Sequence, residues 1–207
     1  MNDRLRGLYV IIDPEVARGR DETEIAREAI AGSARMIQLR DKTRAEDALL
    51  PIAKRLADIC RQNSVAFFVN DNVDLALASG ANGVHLGQND HPLAAVRERV
   101  GPDLLIGAST NNVEEALQAE ADGADYVSVG RLFSTGSKAD TRPTTLDTLQ
   151  AVKAAVSVPV CAIGGINESN IDSVIANGAD MASVIAAVIA ANDVREAAQT
   201  LASRFAD

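Results

Sequence analysis

Short apolar runs of strand length recur along this chain with helical stretches between them, and this alternation restricts the fold more than any other feature. The runs are Leu8–Ile12, Met36–Arg40, Ala66–Asn70, Gly83–Leu86, Leu104–Ala108, Tyr126–Gly130, Pro159–Ile163 and Met181–Ile185, eight in all. Between them apolar positions return every three or four residues, as in Ala48, Leu49, Ile52, Ala53, Leu56, Ala57 and Cys60, which is helical spacing. A strand followed by a helix, repeated without exception, requires parallel strands joined by right-handed crossovers, and eight such units can close on themselves. The Gly–Ala pairs at residues 80–81, 123–124 and 178–179 each stand a few residues before a strand and read as helix C-caps. An open doubly wound sheet shares the alternation, but the strand contents favour closure. Side chains alternate across a strand, so Met36, Gln38 and Arg40 share one face while Ile37 and Leu39 share the other. Ala66, Phe68 and Asn70 divide from Phe67 and Val69 in the same way. With the apolar pairs against the helices, polar groups gather inside at the C-terminal strand ends. The expectation is a single-domain (β/α)8 TIM barrel over residues 1–207, without linker or low-complexity run.

Charge and composition exclude several classes of partner. The formal net charge of −9 repels nucleic-acid backbones and anionic lipid surfaces, so a bound anion must meet locally arranged cations or backbone N–H groups. Trp is absent and aromatics make up 3%, too few for the stacking platforms of single-strand binders. Cys60 and Cys161 lie in apolar surroundings without metal-type spacing, and read as reduced core residues. No apolar run reaches membrane-spanning or signal-peptide length; the expectation is a cytoplasmic protein with neither nucleic-acid nor membrane partner.

Chemistry concentrates at the strand ends. Asp71 and Asp90 follow the third and fourth runs, and neighbouring strands lie roughly 5 Å apart, so both carboxylates can reach one small ion. Mg2+ commonly takes one or two carboxylates together with waters and substrate phosphates. The plainer alternative is that each aspartate caps the helix after it. Arg40 and Lys42 leave the second run and Lys138 follows the sixth, converging on the same end of an otherwise acidic chain. Gln38 and Asn70 each offer a donor and an acceptor, which suits a heterocycle edge or a satisfied polar layer inside the barrel. Gly164–Gly165 lets the backbone approach a phosphate, and the helix after the eighth run offers N–H groups and a dipole. His85 lies inside a strand and reads as packed and hydrogen-bonded rather than as a base; His91 reads as loop surface.

The ordered fragments QLRDK (38–42), VND (69–71), HLGQND (85–90), GAST (107–110), GRLFSTGSK (130–138) and AIGGI (162–166) resemble the thiamine-phosphate synthase family, from LYVIID at residue 8 to the last run near residue 185. The resemblance implies a transferase that joins a pyrimidine diphosphate to a thiazole phosphate and releases pyrophosphate. It implies one Mg2+ on Asp71 and Asp90; Gln38, Leu39, Arg40, Asp41, Lys42, Asn70, Ser109 and Lys138 around the pyrimidine diphosphate; and Thr135, Gly136, Ser137, Gly165, Ile185 and Ala186 around the thiazole phosphate. Lys42, Ser109 and Lys138 would take the catalytic part, assisting dissociation to a methylene carbocation that the thiazole attacks. The partners are then phosphorylated small molecules, and a homo-oligomer is compatible with the sequence. The chain departs from the family pattern at Arg131 and Ser134, where the family commonly has proline, at Ser137 (threonine), Asp41 (glutamate) and Ala186 (serine). Two other readings share the fold: a thiazole tautomerase, which lacks the metal chemistry, and a non-catalytic phosphate-binding barrel.

Overall fold

The computed structural model describes residues 5–134 and 142–205. Its eight strands are β1 (Gly7–Ile12), β2 (Met36–Leu39), β3 (Ala66–Asn70), β4 (Gly83–Leu86), β5 (Leu105–Thr110), β6 (Tyr126–Val129), β7 (Val160–Ile163) and β8 (Met181–Val184). All pair in parallel in sequence order, and β8 returns to β1, closing the barrel. Helices fill the crossovers, α1 (Pro14–Ala17), α2 (Glu22–Ala31), α3 (Glu46–Gln62), α4 (Val73–Ser79), α5 (Leu93–Val100), α6 (Val113–Ala121), α7 (Leu146–Ala155) and α8 (Ile171–Ala176), and α9 (Ala186–Ile189) and α10 (Val194–Ala202) follow β8. The expected (β/α)8 barrel is thus observed, with strand ends shifted by a residue or two from those read in the sequence.

Local signals explain where the elements start and stop. Asp21, Asn72, Asn112 and Asp193 cap α2, α4, α6 and α10, each carboxylate or amide oxygen accepting backbone N–H bonds of the first turn. Gly80, Gly123 and Gly178 all have positive φ just past a helix, as expected of C-terminal caps.

Two apolar layers hold the barrel. Ile37, Leu39, Phe67 and Val69 point outward and are buried against the helices. Their neighbours Met36, Ala66 and Phe68 point inward, where they pack with Leu5, Tyr9, Tyr126, Cys161 and Met181. Phe68 and Tyr126 meet edge to face with centroids 5.6 Å apart. Glycines make room for both rings: a Cβ on Gly107 of β5 would stand 2.1 Å from the Tyr126 ring, and one on Gly83 of β4 would stand 2.3 Å from the Phe68 ring. Truncating a buried ring of this kind to alanine typically costs about 3–5 kcal/mol. On the N-terminal face, Asp125 accepts from Arg97 and the Ile106 N–H, and Asp180 from Lys153 and the Val160 N–H. These staples close that end of the barrel, so the other end is the one left open for ligands.

Candidate active site

A cavity of about 1230 Å³ opens at the C-terminal ends of the strands. Typical small-molecule sites occupy about 300–1,000 Å³, so the cavity is large for a single small ligand. Asn70, Asp71, Asp90, Ser109, Arg40 and Lys42 line one part of it; Gly165, Ile185 and Ala186 line another.

The acidic pair is the electrostatic centre of this cavity. Asp71 sits at the β3–α4 turn with φ 60, a left-handed conformation that aspartate tolerates better than most residues. Its backbone N–H bonds the carbonyl of His85 on β4 at 2.8 Å, tying the two strand ends together. Burial, and then the Asp90 carboxylate within hydrogen-bonding range, raise the Asp71 pKa above the ordinary carboxylate value; Lys42 recovers only part of that shift. The capping alternative does not describe either residue. Asn72 caps α4, its side chain accepting from the Leu75 N–H at 2.8 Å, and α5 has Pro92 at its N-cap and no side-chain cap. Asp90 instead accepts from the Gly87 N–H at 2.6 Å, which turns the loop after β4 inward.

The cations are distributed differently from a simple cluster. Lys42 Nζ lies 3.3 Å from Asp71 and is 58% exposed, so its charge remains available to a ligand. Arg40 lines the cavity but is anchored from below by buried Asp13, whose carboxylate accepts from Nη1. Arg142 reaches the mouth and is paired with Glu115 at 2.8 Å, while Gln88 donates to the same carboxylate and to the Ser109 carbonyl. Arg131 also lines the cavity.

Other expected residues are placed as follows. Leu39 faces the helices. Asp41 turns back onto its own loop: burial pushes its pKa up, but bonds from the Thr43 N–H and hydroxyl and from Arg44 outweigh that and hold it at about 2. Gln38 is fully buried inside the barrel, with Nε2 donating to the Tyr9 hydroxyl at 2.5 Å. Ser109 Oγ lies 2.9 Å from His85 Nε2, so His85 is the packed, hydrogen-bonded residue expected from its strand position. Gly164 and Gly165 have positive φ, and their missing side chains admit the loop that leaves β6: a Cβ on Gly165 would stand 2.5 Å from the Ser134 carbonyl. α9 is only four residues long, so it offers N–H groups rather than the sizeable dipole expected. Thr135, Gly136, Ser137 and Lys138 lie outside the described residues.

Sequence reasoning missed Asp13, Tyr9, Tyr126, Gln88 and Glu115. The alternation along β1 and β6 was enough to turn both tyrosines inward, since Tyr9 and Tyr126 share a face with their i+2 neighbours. Nothing local marked Asp13 as the partner of Arg40. Among the described residues no group of three or more His, Cys, Asp or Glu side chains forms a metal cage. The acidic pair fits a cation that draws its remaining ligands from water and substrate.

Comparison with known proteins finds relatives over nearly the whole chain. A family model described as "Thiamine monophosphate synthase" matches residues 8–188. A thiamine-phosphate synthase of Methanocella arvoryzae is 50% identical over 195 residues, covering 94% of this chain and 92% of the relative. One from Shouchella clausii is 48% identical, covering 94% and 93%. The solved thiamine phosphate pyrophosphorylase from Pyrococcus furiosus superposes with a TM-score of 0.90 at 41% identity, over 98% of this chain and 96% of that one. A 3-hexulose-6-phosphate synthase structure, 18% identical with a TM-score of 0.69 over 97% and 100% of the two chains, shares the fold.

Proposed function

The chain belongs to the thiamine monophosphate synthase family and is a transferase of thiamine biosynthesis, and from that premise we propose that it condenses 4-amino-2-methyl-5-(diphosphooxymethyl)pyrimidine with 4-methyl-5-(2-phosphoethyl)thiazole, or its carboxylated form, releasing pyrophosphate. The observation that carries this reading is that Asp71 and Asp90 line the same cavity, close enough for Asp90 to raise the Asp71 pKa, with Lys42 3.3 Å from Asp71. Two carboxylates pressed together in a partly dry site repel one another unless a cation or a proton lies between them. Asp71 and Asp90 would hold one Mg2+, which when bound supplies charge neutralisation to the diphosphate.

The protein's own residues account for the remainder of the reaction. Lys42, and Lys138 from the loop after β6, place fixed positive charge against the leaving diphosphate, where a low dielectric strengthens the interaction. Arg40, held by Asp13, presents its guanidinium in a set orientation, so little entropy is lost on binding. Asn70 and Ser109 orient the pyrimidine, whose 4-amino group stabilises positive charge on the exocyclic methylene as the C–O bond breaks, while Gln38, expected beside them, is buried below the cavity and bonded to Tyr9. Leu39, packed against the helices, and Asp41, bonded to Thr43 and Arg44, take no side-chain part in binding. Gly165, Ile185 and Ala186, with Thr135, Gly136 and Ser137, hold the thiazole phosphate so that the thiazole nitrogen faces the methylene carbon. No nucleophile is required of the enzyme; catalysis is positioning and electrostatic complementarity.

The deciding experiment incubates purified protein with both substrates and follows pyrophosphate with and without Mg2+. Metal-dependent release with formation of thiamine phosphate is expected. Thiazole isomerisation without pyrophosphate would instead identify a tautomerase, and substrate binding without turnover a non-catalytic barrel.

A further inference from the structure

A continuous hydrogen-bond chain crosses the barrel interior and ends in the cavity. Gln38 Nε2 donates to the Tyr9 hydroxyl at 2.5 Å, and the Tyr9 and Tyr126 hydroxyls are 3.2 Å apart. The Tyr126 hydroxyl lies 2.8 Å from His85 Nδ1, and His85 Nε2 lies 2.9 Å from Ser109 Oγ. Gln38, Tyr9 and Tyr126 are buried at 0–1% exposure, whereas His85 and Ser109 border the cavity.

Counting protons orders this chain. An amide NH2 only donates, each hydroxyl carries one proton, and a neutral imidazole donates from one nitrogen and accepts at the other. Burial raises both phenol pKa values well above the ordinary one, so neither proton is given up. Because Gln38 fills the Tyr9 oxygen from one side, the Tyr9 proton has the Tyr126 oxygen as its acceptor. The Tyr126 proton then falls on His85 Nδ1, and the His85 proton resides on Nε2 and points at Ser109 Oγ. The reverse order requires the Gln38 amide turned over, so that Oε1, which has no partner in the orientation seen here, accepts the Tyr9 proton; the tautomer of His85 distinguishes the two orders.

We propose that Tyr9, Tyr126 and His85 are positioning residues that fix the polarity of Ser109, making its hydroxyl an acceptor from His85 and a hydrogen-bond donor toward the cavity. A donor in that place recognises a ring nitrogen with a free lone pair, as in a neutral aminopyrimidine, and disfavours a ring that presents N–H at that position. This assignment of the ligand rests on the proposed placement of the pyrimidine diphosphate against Ser109; the ordering of the chain does not.

The ordering is read directly by 15N NMR of histidine-labelled protein at mildly alkaline pH. His85 and His91 are the only histidines, so His91→Ala assigns the signals. The expected spectrum shows His85 as a single neutral tautomer, protonated at Nε2 and bare at Nδ1; protonation at Nδ1 in the wild-type protein would overturn the proposal. Tyr126→Phe keeps the ring and removes only the hydroxyl, so it should populate both tautomers, and an unchanged single tautomer would also overturn it. In the same variant kcat/KM for the pyrimidine diphosphate should fall between about 3- and 10-fold with the thiazole phosphate KM unchanged. An ordered chain whose loss leaves those kinetics untouched would overturn the contact between Ser109 and the pyrimidine, and with it that part of the proposed function.

Discussion

Lys42 Nζ stands 3.3 Å from the Asp71 carboxylate, whose pKa the neighbouring Asp90 carboxylate helps to raise. The lysine is too exposed to offset the repulsion between two acids, so the ligand-free site carries surplus negative charge. A cation relieves it, and a diphosphate then finds Lys42 within reach.

Asp71→Asn should leave the fold intact, because asparagine also tolerates the left-handed backbone at this position. Turnover should fall by on the order of 10- to 100-fold or more, with a higher Mg2+ requirement. A Mg2+ titration of activity superimposable on the wild-type curve would remove the metal assignment.

The raised pKa of Asp71 sets a pH dependence of defined sign. A carboxyl whose folded-state pKa lies above its unfolded value is held in its charged form at a cost, and that cost disappears once pH falls below the unfolded value. Mg2+ affinity should therefore begin to fall on acidification at a pH above the ordinary carboxylate range, as protonation competes with the cation. Thermal melts of ligand-free Asp71→Asn should match or exceed wild type at neutral pH and lose any advantage in acid.

Asp13→Ala removes the buried partner of Arg40 and leaves a guanidinium 12% exposed without its counter-charge. Breaking one side of such a pair typically costs about 3–5 kcal/mol. Urea denaturation should show a loss of this size, accompanied by a higher KM for the pyrimidine diphosphate; a loss below about 1 kcal/mol would show that Arg40 finds another partner.

Ala186→Ser places a hydroxyl at the start of α9, on the cavity wall. One additional hydrogen bond should tighten thiazole phosphate binding by about 0.5–1.5 kcal/mol. Calorimetric titration showing equal or weaker affinity would mean that the phosphate does not rest there.

Both thiols should be inert in the native protein. Burial pushes the Cys60 pKa up to about 12, and Cys161 is fully buried inside the barrel. Thiol reagents at neutral pH should label neither cysteine before unfolding and both after it; stoichiometric labelling of folded protein would contradict the packing.

The fold was legible because its signals are local. The inward face of Met36, Ala66 and Phe68 and the outward face of Ile37, Phe67 and Val69 follow from a two-residue period, and both are observed. The placement of Asp71 and Asp90 on adjacent strand ends was legible for the same reason, since neighbouring parallel strands follow one another in the chain. Asp41 shows where that reasoning stops: it belongs to the same QLRDK fragment as Lys42, yet its side chain is held by Thr43 and Arg44 and turned from the cavity.

Alternation and apolarity along the chain determined a closed parallel barrel with polar strand ends at one rim, because strand direction, face and sequential neighbours are properties of short segments. Only the tertiary structure decided that Arg40 rests on Asp13, that Tyr9 meets Tyr126 across 117 residues, and that His85 joins them to Ser109. Those contacts depend on the register at which eight strands close and on the space that residues such as Gly107 leave for rings from other strands. No short segment carries that information, since each partner is brought into range by the strands between.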